Sequence, residues 1–110
     1  MEFKTAENDG IYTVNIEGNV DTNSAPDVKS GLDELISTGA SKIVMDLSFM
    51  EYISSAGLRV LLVTGKQLKS SSGELRLCGM NESVRDVFDI SGFSSIFNIF
   101  DTAADAQKDF

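Results

Sequence analysis

Residues 46–62 read DLSFMEYISSAGLRVLL, Asp46 to Leu62, and their reading decides the fold. A short apolar run, Lys42 to Leu47 (KIVMDL), leads into the stretch and has the length and branching of a buried strand. Leu58, Leu61, Leu62 and Leu68 then fall on one helical face, which predicts a helix from Ser54 or Ser55 to about Ser70. Gly65 on that helix is expected to allow close approach to a neighbour. Between the two, Ser48 to Ile53 is expected to be a loop crossing the end of a sheet. Strand, loop and helix in this order form half of a parallel β-α-β unit.

Working upstream, Ile11 to Ile16 alternates, with Tyr12, Val14 and Ile16 on one side. Asn8-Asp9-Gly10 before it is a tight-turn signal, so residues 1–18, Phe3 included, read as a hairpin. Asp21 to Ser24 follow as a loop. Pro26 suits a first helical turn, because its missing N–H would be unpaired there anyway. Val28, Leu32, Leu35 and Ile36 make one apolar stripe, and Gly39 stops the helix. Downstream, Ser70 to Gly73 is a turn and Glu74 to Cys78 (ELRLC) a strand. Asn81 caps a third helix with Val84, Val87 and Phe88 inward, ending at Gly92. Ile96 to Phe100 (IFNIF) is a last strand and Thr102 to Asp109 a weakly patterned helix. The order β-β-α-β-α-β-α-β-α predicts an α/β fold: a mixed, mostly parallel sheet with an antiparallel edge strand. Helices need not cover both faces equally.

The 110 residues suit one domain, 1–110, and 42% hydrophobic content is enough for a core. Lys plus Arg number 9 against 17 Asp plus Glu, a net charge of −8 with pI near 4.3. Such a chain is poorly suited to nucleic acid or to an anionic membrane surface. It has no His, which excludes imidazole bases and His metal sites, and its single Cys excludes an internal disulfide. No cofactor, metal or catalytic residue is expected, and the cysteine usage suits a reducing cytoplasm. The opening MEFKTAENDG lacks the basic-then-apolar pattern of a signal peptide. Runs such as Val60 to Val63 fall far short of the roughly 20 apolar residues a membrane span needs.

Two serines stand where the helix after residue 53 begins. Either hydroxyl could accept from a free backbone N–H and simply cap the helix. The same unpaired N–H groups and partial positive charge would also stabilise a phosphate, so Ser54 or Ser55 could serve as a switch. Gly57 would let a partner's backbone come close.

These residues resemble the signature of STAS domains, found in anti-sigma-factor antagonists and sulfate transporters. The resemblance rests on Asp46-Leu47-Ser48 followed by Tyr52-Ile53-Ser54-Ser55-Ala56-Gly57-Leu58. It extends to Gly18-Asn19-Val20-Asp21 with Ser24-Ala25-Pro26, and to Leu77-Cys78-Gly79 with Ser83-Val84 and Val87 to Phe93. The matches keep order and spacing across nearly the whole chain. The resemblance implies a partner switch. An unphosphorylated antagonist holds an anti-sigma serine kinase and so frees the sigma factor. The kinase then phosphorylates one serine of the antagonist, and a PP2C-type phosphatase resets it. Aligning on Gly57-Leu58 places the acceptor at Ser55, with Ser54, where the family often has Asp, as the secondary candidate. By the same resemblance Asp21 helps position the serine and contacts the kinase. Thr22, Ser24, Met50, Ser54, Ala56, Gly57, Leu58 and Arg59 complete the expected partner-binding set. The alternative is a STAS scaffold subunit of a sensory or transport-associated complex whose serine is never phosphorylated.

Other residues have plainer readings. Cys78 reads as a small buried hydrophobe. Met45, Met50 and Met80 read as core or loop packing, and Glu51 as a solvated acid. Phe93, Ile96, Phe97, Ile99 and Phe100 read as core, with an interaction patch as the alternative. Asp21 and Asp46 could form a carboxylate pair, but nothing beside them completes an active site.

Overall fold

Alternation builds the first hairpin. In the computed structural model, which describes all 110 residues, β1 (Glu2–Asn8) pairs antiparallel with β2 (Ile11–Val20), and Val14 and Ile16 are fully buried. Asp9 and Gly10 both have positive φ, 52° and 83°, which a two-residue hairpin turn requires and which Gly and Asp adopt most readily.

The main sheet has the order β1-β2-β3-β5-β6, with β3 at Lys42–Asp46, β5 at Glu74–Cys78 and β6 at Asn98–Phe100. Every pairing after the first is parallel. Ile43, Val44 and Met45 are all buried, as a strand covered on both faces demands. One face carries the larger core. There Val14, Ile16, Ile43, Met45, Leu75 and Leu77 meet Val28 and Leu32 of α1 (Ala25–Ser37), Leu58, Leu61 and Leu68 of α2 (Ser55–Ser70), and Val84 and Phe88 of α3 (Glu82–Ile90). The other face buries only Val44 and Cys78 under Ala106 of the short α4 (Ala103–Gln107). Arg76 ties the chain end over that face. Its guanidinium donates to the Ala106 and Lys108 carbonyls at 3.0 and 2.8 Å and stacks on the Phe110 ring at 4.1 Å. No helix is long and apolar enough to cross a membrane.

The expected order of elements holds, with corrections at particular places. The span 48–53 is not all loop: β4 (Met50–Ile53) pairs parallel with the tail of β2, Gly18 to Val20, across a register shift at Gly18/Asn19. Its burial runs in-out-out-in, so Met50 and Ile53 are buried while Glu51 and Tyr52 are exposed. A period of two therefore does not reveal it. β6 begins at Asn98, because Phe93–Ser95 form a 3-10 turn and Ile96 stays exposed. Phe93, Phe97 and Ile99 pack against the larger core, and Phe100 against the smaller.

Gly65 is not a point of tight approach. A Cβ there would meet Phe97 Cε1 at 3.6 Å and Leu75 Cδ2 at 3.8 Å, ordinary van der Waals contacts. Gly65→Ala is therefore expected to stabilise the fold by about 0.5–1 kcal/mol, the helix-interior difference between the residues. The midpoint of urea unfolding checks this, and a lower midpoint would show the site to be closed.

Candidate functional site

The tail of β2 and the end of β4 bring the Asp21 loop and the head of α2 together. Val20 pairs with Ile53, and the Ser54 backbone N–H donates to the Val20 carbonyl at 2.8 Å. Asp21 follows Val20 directly, and Ser55 follows the bonded Ser54.

The two serines differ in burial and in hydrogen bonding. Ser54 is 8% exposed, and its Oγ accepts from the Gly57 N–H at 3.2 Å, so it is the N-cap of α2. Ser55 is the first residue of the helix, and its side chain is exposed. No hydrogen bond engages its hydroxyl, which leaves it open to a second protein.

Asp21 organises its own loop. Its Oδ1 accepts from the Asn23 and Ser24 N–H groups, both at 2.9 Å, and from the Ser24 hydroxyl at 3.1 Å. The Ser24 Oγ in turn accepts from the Asp21 N–H at 2.9 Å. These bonds, the Ser24 backbone N–H first and the Ser24 hydroxyl next, hold the Asp21 carboxyl below the usual carboxylate range. The loop therefore presents a fixed negative charge at neutral pH. The Asp21 carboxylate is taken up by Asn23 and Ser24, and no hydrogen bond joins it to Ser55.

Around these residues Thr22, Glu51, Tyr52 and Arg59 are exposed, while Ser24 and Ala56 are partly covered. Besides the capping Ser54, three expected contact residues are buried. Met50 is 1% exposed and Leu58 4%, both in the core, so neither offers a side chain to a partner. Gly57 is buried as well. A Cβ on it would come to 2.8 Å from Ile53 Cγ1 and 2.9 Å from Val20 Cγ1, so this glycine serves internal packing. Two exposed aromatics close to Met50 in the chain were missed: Phe49 is 70% exposed and Tyr52 50%, large apolar surface at β4. The sign in the sequence was that Met50 and Ile53 cannot both turn inward unless their neighbours turn outward.

Asp46 and Asp21 do not form a catalytic pair, because each closes its own turn. The Asp46 Oδ1 accepts from the Ser48 N–H at 3.0 Å and from the Ser48 hydroxyl. Cys78 is fully buried, and burial with the charge of Asp46 pushes its thiol up to about 12, so it stays protonated and unreactive near neutral pH. The arrangement thus offers one free hydroxyl on a capped helix head, an ordered acidic loop leaving the strand to which that head is bonded, and a cation one turn further on.

This geometry can be set beside known proteins. The chain is 40% identical over 99 residues to BtrV of Bordetella bronchiseptica, provisionally named an anti-sigma factor antagonist, covering 90% of this chain and 85% of that one. It is 35% identical to the anti-sigma-B factor antagonist of Bacillus subtilis, covering 90% and 88%. In three dimensions it resembles tm1081 of Thermotoga maritima, a crystal structure also provisionally described as an anti-sigma factor antagonist, with a TM-score of 0.91 at 28% identity and coverage of 96% and 92%. The STAS domain profile matches residues 2–106, nearly the whole chain, and the chain belongs to the STAS domain family.

Proposed function

We propose that this protein is an anti-sigma-factor antagonist that works by partner switching in the cytoplasm. Unphosphorylated, it binds an anti-sigma serine kinase through the Asp21 loop and the head of α2, and the sigma factor held by that kinase is released. The kinase phosphorylates Ser55 and the complex breaks. A PP2C-type phosphatase removes the phosphate and restores binding. The role is recognition, not catalysis.

The observation that carries this reading is the division of labour between Ser54 and Ser55. The cap is satisfied by Ser54, so helix stability does not require a hydroxyl at 55. That hydroxyl is exposed, and the pre-ordered Asp21 loop leaves the strand to which the helix head is bonded. The names of the relatives BtrV and the B. subtilis protein support the same pathway.

The test uses Ser55→Ala and Ser55→Glu proteins as paired baits in a lysate of the native host, read by mass spectrometry. A serine kinase held by the Ala bait and lost from the Glu bait is expected. The same partners on both baits, with no kinase among them, would instead make the chain a scaffold subunit.

A further inference from the structure

A groove of about 410 Å³ opens at the other end of α2, away from Ser55. Its floor is apolar, made by Leu62 and Gly65 of α2, Leu75 of β5 and Phe97, with Ile96 standing 57% exposed at its edge. Lys66 and Lys69, one turn apart on α2, form its charged rim.

The charges at this groove are not those of the rest of the surface. The chain carries −8, and most of its cations are already matched. Lys4, Lys29, Arg76, Arg85 and Lys108 each pair with an acid, and Lys42 donates to the Phe110 carbonyl oxygen. Arg59, Lys66 and Lys69 alone have neither an ion pair nor a side-chain hydrogen bond, and all three lie on α2. The one acid at the groove, Glu74, is itself engaged. Its Oε2 accepts from Arg76 Nε at 2.8 Å and from Asn98 Nδ2 at 2.7 Å. The local field is therefore set by two free ammonium groups, placed in the last turns of α2 where the helix dipole favours cations.

From the apolar floor and this unmatched positive rim, we infer that the groove binds a small amphiphilic anion: an apolar body of roughly the size of a medium acyl chain or single aromatic ring, with a carboxylate or phosphate head between Lys66 and Lys69. The volume lies within the roughly 300–1,000 Å³ of ordinary small-molecule sites. The floor supplies burial and the lysines supply orientation through charge-assisted hydrogen bonds. Because α2 carries Ser55 at its head, an occupant here would touch the helix that presents the switch. The site itself does not depend on Ser55 being phosphorylated.

The test is an amide chemical-shift titration of the isotope-labelled protein with octanoate, octyl phosphate and the neutral octanol. Shifts at Leu62, Gly65, Leu75 and Phe97 are expected with both anions. Binding of octanol, and of octanoate to the Lys66→Gln/Lys69→Gln protein, is expected to be roughly tenfold weaker, the scale of losing one charge-assisted contact. The tighter of the two anions names the head group. Both lysines are exposed and unpaired, so the double variant should keep the wild-type spectrum elsewhere. The proposal is overturned if no groove amide moves at millimolar anion, or if octanol and the double variant bind as wild type binds octanoate.

Discussion

Ser55→Ala is expected to abolish phosphate incorporation by the cognate serine kinase, while Ser54→Ala keeps it. The two hydroxyls are adjacent in sequence but not equivalent in space. Ser54 is 8% exposed and committed to the Gly57 N–H, so a kinase could reach it only after the first turn of α2 had opened. Ser55 needs no such opening. Ser54→Ala should instead cost about 1 kcal/mol of stability, the usual price of a lost N-cap, visible in thermal unfolding. Labelling of Ser55→Ala at the wild-type level would move the acceptor to Ser54. Ser55→Glu has a separate expected result, weaker binding of the kinase. A phosphate would add about −1.5 to −2 charges, and a glutamate about half that, next to the fixed Asp21 carboxylate and near the exposed Glu51. Every 1.4 kcal/mol of repulsion and desolvation weakens the complex about tenfold, so a modest penalty suffices to release the partner. Titration calorimetry reads this directly, and an unchanged affinity would reject the electrostatic account.

Most of this fold is legible where periodicity and punctuation agree. The Asp9-Gly10 turn, the Asn81 cap and the leucine stripe of α2 each combine a spacing with a residue that ends or starts an element, and each stands where the pattern puts it apart from Leu62, which lies outside the core. β4 fails that test. Glu51 is an extra residue between Met50, opposite Gly18, and Tyr52, opposite Asn19, and this bulge in β4 breaks the simple alternation of burial. The same cause explains Met50. A motif position reads as surface because the motif surrounds the switch, yet the side chain turns into the core and leaves Phe49 and Tyr52 outside. The site was legible as a location, from the serines at a helix start. Which serine caps the helix is decided only by burial and by the Ser54 bond to Gly57, which no linear spacing contains.

Gly57→Val is expected to destabilise the protein by about 3 kcal/mol, the upper part of the usual range for overpacking a filled core. For a domain of this size that lowers the thermal midpoint by roughly 10 °C or more. Helix propensity alone argues the other way, since glycine is the poorer helix former. Space decides against propensity here. The first added carbon would sit 2.8 Å from Ile53 and 2.9 Å from Val20, which are 2% and 1% exposed and pair with each other across β4 and β2. Both are β-branched, with little rotamer freedom to give way. The remaining relief is for the head of α2 to lift from the β2 tail. That movement would stretch the Ser54 N–H to Val20 carbonyl bond and carry Ser55 away from Asp21. Stability and kinase affinity should therefore fall together in Gly57→Val, whereas Gly65→Ala, eight residues along the same helix, gains stability and leaves affinity unchanged. If Gly57→Val unfolds at the wild-type midpoint and only binding is lost, then Ile53 and Val20 yield easily, and the glycine is there to admit the partner's backbone.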